Sequence, residues 1–259
     1  MIRYWIFMTL FNIHYATLYA QDFLPDAKVM QNKKVKTVTQ FDCDSTGNNC
    51  FILNRKYYDK LGQLYLSEDY AQGQVYLTTT YSYFQKDKID TVFQTVQDQE
   101  KRPVVIYVYD AAGNKVEQLQ YSLNTEPVLR TVYSYNNAQQ VQTEIVKQGQ
   151  KAISEKKFFY DTSGNVSKTI EKYYPDGLPE TILFFYDRLN RCSKIKYSDR
   201  EEEYFYDNEA NLVKINFLEY GTNSREVSLL NYSDQLLISS KTFQHNDVLF
   251  YFKYTYEFY

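Results

Sequence analysis

Histidine is almost missing from this chain: His14 and His245 are the only two in 259 residues. That leaves little from which to build a Ser-His-Asp triad, a Cys-His dyad or a zinc site, and no GxSxG-like signature stands beside His245. Tryptophan occurs once, at Trp5, and cysteine three times. The eight glycines are scattered singly. None belongs to a Gly-rich loop before a helix, so a phosphate-binding loop is absent. Cations are not in excess: 29 Lys+Arg stand against 32 Asp+Glu, a net charge of -3, which argues against nucleic acid as a partner. No apolar run reaches the roughly 20 residues that a membrane-crossing helix needs.

What is abundant is tyrosine, with 28 copies in a chain that is 18% aromatic. Nine of them, Tyr58, Tyr83, Tyr109, Tyr135, Tyr160, Tyr186, Tyr206, Tyr232 and Tyr256, recur at steps of 25, 26, 26, 25, 26, 20, 26 and 24 residues. A fixed step of this size marks one supersecondary unit copied in tandem. The surrounding sequence repeats too: YDKLGQ from Tyr58, YDAAGN from Tyr109, YDTSGN from Tyr160, YDRLNR from Tyr186 and YDNEAN from Tyr206. Asp followed by Gly or Asn three residues on is turn chemistry, because the carboxylate bonds nearby amides while Gly or Asn accepts positive φ. CDSTGN from Cys43 repeats the pattern in an irregular first unit.

A second set of turns lies midway between these anchors, at AQGQ, KQGQ, YPDGLP and YGTN among others. Every glycine falls in one of the two turn sets, and four of the five prolines fall in the second, where a lost amide spares the strand ladder. Two turns per unit leave strands of roughly eight or nine residues. Each unit is therefore two antiparallel strands, seventeen or eighteen in all. In the strand entering each anchor the residue two before it is Tyr81, Tyr107, Tyr133, Phe158, Phe184, Tyr204, Leu230 or Tyr254, with Lys56 the polar exception. The spacing puts a two-row aromatic ladder on one face.

The expected fold class is all-β: tandem antiparallel hairpins in one extended, curved, coiling or partly closed sheet, since flat sheets of this width are rare. No helix is expected after position 20. Residues 1–20, with Arg3, the run WIFMTLF and Ala20 before polar sequence, form an expected signal peptide. Residues 21–40 then form a lead-in with the first strand, and 41–259 the repeat domain. The mature chain would have no transmembrane span and would be exported to the periplasm, the outer cell surface or the medium. There Cys43 and Cys50 could pair across a hairpin neck or remain two reduced thiols.

At its YD-x-x-G-N turns the chain resembles the YD, or RHS, repeat family of secreted and surface β proteins, from about Phe41 to the C-terminus. The resemblance implies tandem hairpins coiling into a long sheet. The chain lacks the Asp-Pro signature of self-cleaving shell cores, so toxin encapsulation is not implied. Aromatic-Gly hairpins also look somewhat like choline-type wall-binding repeats, but those are rich in Trp.

The candidate site is the ladder itself: Tyr81, Tyr83, Tyr107, Tyr109, Tyr133, Tyr135, Phe158, Tyr160, Tyr204 and Tyr206. Exposed, its rings suit a sugar ring or a partner's apolar side chains; buried, they are core. Asp59, Asp110, Asp161, Asp187 and Asp207 are read as turn caps, because copies one unit apart cannot converge on a single cleft. The Asp42–Gly47 stretch echoes a calcium loop but has Leu53 where a Glu is needed. No catalytic residue, metal or cofactor is expected. The functional expectation is an exported, non-enzymatic scaffold of the bacterial envelope that contacts protein, or alternatively a module that binds envelope glycan.

Overall fold

The computed structural model describes residues 27–85, 88–97, 99–122 and 126–259; the expected signal peptide lies outside these. A short helix α1 (Ala27–Asn32) leads into β1 (Val35–Cys43), β2 (Cys50–Tyr58), β3 (Leu64–Ala71), β4 (Gln74–Gln85), β5 (Lys88–Val96) and β6 (Arg102–Tyr109). The middle of the chain forms β7 (Lys115–Tyr121), β8 (Pro127–Tyr135), β9 (Val141–Gln148), β10 (Lys151–Tyr160), β11 (Val166–Tyr173) and β12 (Glu180–Tyr186). The last third forms β13 (Cys192–Lys196), β14 (Arg200–Tyr206), β15 (Leu212–Glu219), β16 (Arg225–Ser233), β17 (Leu236–Gln244) and β18 (Asp247–Phe258). The all-β class holds, and among the described residues α1 is the one departure from the expectation of no helix.

Each strand pairs antiparallel with the next, and β1 pairs with both β2 and β18, so the 18-stranded sheet closes on itself. This corrects the expected open or coiling sheet. Its physical basis lies in the register. Within each hairpin the residue before the anchor faces a residue that in turn faces the third residue before the next anchor. Val108, Glu117 and Val132 form one such row, and Phe159, Lys168 and Leu183 another. The row Thr255, Thr39 and Arg55 repeats it across the seam.

Every hairpin thus slips by two residues. A uniform slip accumulates to a shear of about 18 for eighteen strands, which tilts the strands by about 35°. A round barrel of that tilt is about 33 Å across between backbone walls, too wide for side chains of opposite walls to fill.

The anchors face inward. Residues directly opposite one another share a face, and most buried strand residues, among them Val38, Lys56, Tyr58, Thr79, Thr131, Thr169, Ile215, Leu230 and Tyr254, lie on the anchor side, with Thr37 and Thr39 of β1 buried on the other. The other parity carries exposed Tyr65, Val108, Phe159, Phe185 and Phe205. The anchor turns gather at one rim of the barrel and the second turn set at the other.

Met30 of α1 is wholly buried among Val35, Val38, Tyr58, Leu236 and Leu237. The helix therefore caps the anchor rim beside the seam. At the same rim the Tyr259 amide donates to the Lys34 carbonyl, and Lys33 pairs with Asp234.

Candidate functional site

The anchor turns are built alike. In the turn after Tyr160, Asp161 Oδ1 accepts from the amides of Ser163 and Asn165, and Oδ2 accepts from the Asn165 side chain. The same bonds recur at Asp110, Asp187 and Asp207. Asn136 substitutes for the carboxylate in its own turn. Hydrogen bonds from the residue four positions on hold the carboxyls of Asp110, Asp161, Asp187 and Asp207 below the usual range. The acids therefore act as caps. The CDSTGN turn has the same local bonds from Asp44, but it joins β1 to β2 at the opposite rim. A disulfide joins Cys43 to Cys50 there, and Cys192 is a free thiol.

The anchor hydroxyls have a role that the repeat alone does not reveal. Tyr83, Tyr109, Tyr135, Tyr160 and Tyr186 each donate to the carbonyl of the residue six past the preceding anchor: Leu64, Ile89, Lys115, Val141 and Val166, at 2.6–2.9 Å. Tyr206 reaches Cys192 in the same way across the shortened unit, 14 residues back instead of 19 or 20. Tyr256 reaches Leu237, and Tyr259, which is not an anchor, donates to the Tyr58 carbonyl. Tyr58 apart, each accepting residue stands opposite its own anchor, beside a register shift. The tyrosine of one hairpin thus clasps the bulge of the one before.

The ladder consequently lines the inner wall. Tyr81, Tyr83, Tyr107, Tyr109, Tyr133, Tyr135, Phe158, Tyr160, Tyr204 and Tyr206 are all half-buried, neither sealed core nor an outward platform. Burial pushes the hydroxyls of Tyr107, Tyr109, Tyr135 and Tyr160 up, and those of Tyr232 and Tyr254 up to about 12. Lys115 lies against the Tyr107 and Tyr133 rings, its ammonium 5.4 and 4.3 Å from their centroids.

Charges interrupt the aromatic wall in matched rows. Buried Lys56, the exception in the ladder, faces the Asp69 region; burial raises the Asp69 carboxyl and the Lys56 charge opposes that rise. Glu144, Lys156 and Glu171 stand directly opposite one another on β9 to β11, with Lys156 Nζ 2.9 Å from Glu171.

The outer wall is mixed at mid-height, with charged side chains set among outward Ile106, Leu119, Val132, Ile145, Leu183 and Leu229. Arg55, Glu68, Arg130, Lys157, Lys194, Glu203, Lys241 and Lys253 all face outward near the middle of their strands. Arg130 pairs with Glu117, and Lys194 with Glu201 at 3.1 Å and Glu203 at 3.2 Å. Near the anchor rim, Phe159, Phe185 and Phe205 alternate with Lys168, Lys194 and Lys214. The Lys168 and Lys214 ammonium groups lie 4.2 and 5.1 Å from the rings of Phe159 and Phe205. The sequence signal for this row, a Lys nine residues after the Phe that precedes an anchor, is visible in hindsight.

His245 lines an outer depression of about 670 Å³ at the far rim, with Asn223, Arg225, Val227, Leu229, Phe243 and Asn246. It brings no carboxylate to the histidine. Among the described residues no group of three or more His, Cys, Asp or Glu is placed to hold a metal.

No family model and no curated protein matches the chain. Solved structures similar to it include a porin-like protein from Bacteroides uniformis, 10% identical with a TM-score of 0.46. A second porin-like protein, from Bacteroides vulgatus, is 14% identical with a TM-score of 0.39. Both matches cover 86% of this chain and 98% of the other. A chain of the TcdB2-TccC3-Cdc42 crystal structure is 16% identical with a TM-score of 0.39, over 73% of this chain but 10% of that one. All three scores fall below 0.5, too weak a likeness to carry a function across.

Proposed function

We propose that this protein is an exported, non-enzymatic barrel scaffold that stands in the water of the bacterial envelope and works through contacts made by its walls. The observation that carries this reading is the set of outward charges near mid-strand, interspersed with apolar positions such as Ile106, Leu119 and Val132. A barrel embedded in lipid needs an apolar outer band about 25 Å tall, and each outward Lys or Arg at its middle costs roughly 2–4 kcal/mol. Here Arg130, Lys157 and Lys241 stand near that level. Strand length agrees: β12, β13 and β14 have seven, five and seven residues, short of the nine to eleven or so that a tilted membrane strand needs. The disulfide suits an oxidising compartment, and the YD-type turns suit an RHS-like surface protein.

The test is fractionation followed by liposome flotation. Expressed in a bacterial host with residues 1–20 present, the protein should be released by osmotic shock or enter the medium. Once purified, it should stay monodisperse without detergent and remain below the liposome layer. Recovery only from detergent-solubilised membranes sinks the proposal.

A glycan-binding role is the second reading, moved from the inward tyrosines to the outward Phe159, Phe185 and Phe205 row with its interleaved lysines. Retention on acidic envelope polysaccharide that is lost in a Phe185→Ala, Phe205→Ala double variant supports it; equal retention removes it.

A further inference from the structure

We infer that the depression at the far rim is a binding site for a small amphiphile with a carboxylate head and an apolar tail. Its floor is a cross-strand apolar patch: Val227 on β16 stands directly opposite Phe243 on β17, and Leu229 extends the patch along β16. Arg225 rises at one edge, from the strand end opposite Leu218 of β15. His245 and Asn246, both at positive φ in the β17–β18 turn, close the other edge, and Asn223 of the β15–β16 turn completes the rim.

The volume of about 670 Å³ is that of a small-molecule site, and its makeup of apolar floor with a few polar groups at one end is the usual one. The sign of the charge selects the head group. Arg225 is the one formally charged side chain among the residues lining this depression, and on its other side it borders a smaller one lined by Glu201, Glu203 and Glu226. A guanidinium presents a planar fork of donors that matches a carboxylate in two-point contact. The imidazole of His245 and the amides of Asn223 and Asn246 add donors around the rest of the rim. A purely cationic head would be repelled by the guanidinium.

Octanoate is a suitable probe, with octan-1-ol and octyltrimethylammonium as matched tails bearing the wrong head. Titration of the full mature chain, followed by isothermal calorimetry and by chemical-shift changes, should show saturable 1:1 binding of octanoate. Octan-1-ol should bind at least tenfold more weakly, and the ammonium not measurably. Arg225→Gln should weaken octanoate about tenfold or more while leaving octan-1-ol unchanged. Phe243→Ala should weaken both. Both side chains project outward, and matched circular dichroism and melting curves establish that each variant is folded. The inference is overturned if octanoate fails to saturate, if it binds no better than the ammonium, or if folded Arg225→Gln binds it as well as the parent chain.

Discussion

A phenylalanine at position 135 would keep the ring of Tyr135 and delete only the hydroxyl that reaches the Lys115 carbonyl at 2.7 Å. One such bond is worth about 1 kcal/mol net, with a further cost where the orphaned carbonyl is shielded from water. Tyr135→Phe should therefore lower stability by about 1–2 kcal/mol in urea titration; an unchanged midpoint would show the clasp to be incidental.

The tyrosines also predict alkaline behaviour. Tyr232 and Tyr254 titrate in the folded chain at about 12, against about 10 when unfolded. Acids whose folded pKa is raised contribute stability that is complete below pH 10 and is lost as pH climbs through 12, because the unfolded chain releases its protons first. Several neighbours shift in the same direction, among them Tyr107, Tyr109, Tyr135 and Tyr160. Melting temperature should fall steeply between pH 10 and 12, in step with the tyrosinate absorbance rise. Unfolding that precedes ionisation would contradict this.

At the level of elements, strand count, turn positions and hairpin pairing were legible because Gly, Pro and Asp-x-x-Gly/Asn punctuate the chain and the aromatic rows alternate with period two. Closure was not legible. It depends on the two-residue slip between hairpins, which comes from an extra residue opposite each anchor, and no residue type announces that. The DSTGNN turn shows the same limit: its chemistry matches the anchor turns, yet β1 runs in the sense that carries it to the other rim.

Helix α1 escaped detection because six residues are too few to show a helical period. It is held by tertiary burial, chiefly of Met30. Met30→Ala should cost about 2–5 kcal/mol and expose the anchor rim to limited proteolysis ahead of the strands. The site residues divide similarly. The ladder was visible as a pattern, but its inward direction and the bonded tyrosine tips required the closed sheet, as did the meeting of Arg225, Phe243 and His245 from separate turns.

For the molecule as a whole, the ratio of slip to strand number matters more than either quantity. Every hairpin adds two strands and two residues of slip, so the inclination of the wall is independent of how many hairpins there are. Removing residues 110–135 would splice Tyr109 onto the Asn136 turn and leave every remaining hydroxyl within reach of an acceptor of the same kind. A folded sixteen-stranded ring about 30 Å across is the expected result, against about 33 Å for the parent, and small-angle scattering resolves the change. The repeat is therefore a gauge with whole-number settings: lineages that gain or lose one tyrosine-to-tyrosine unit change the bore by a few ångströms while the joinery stays the same.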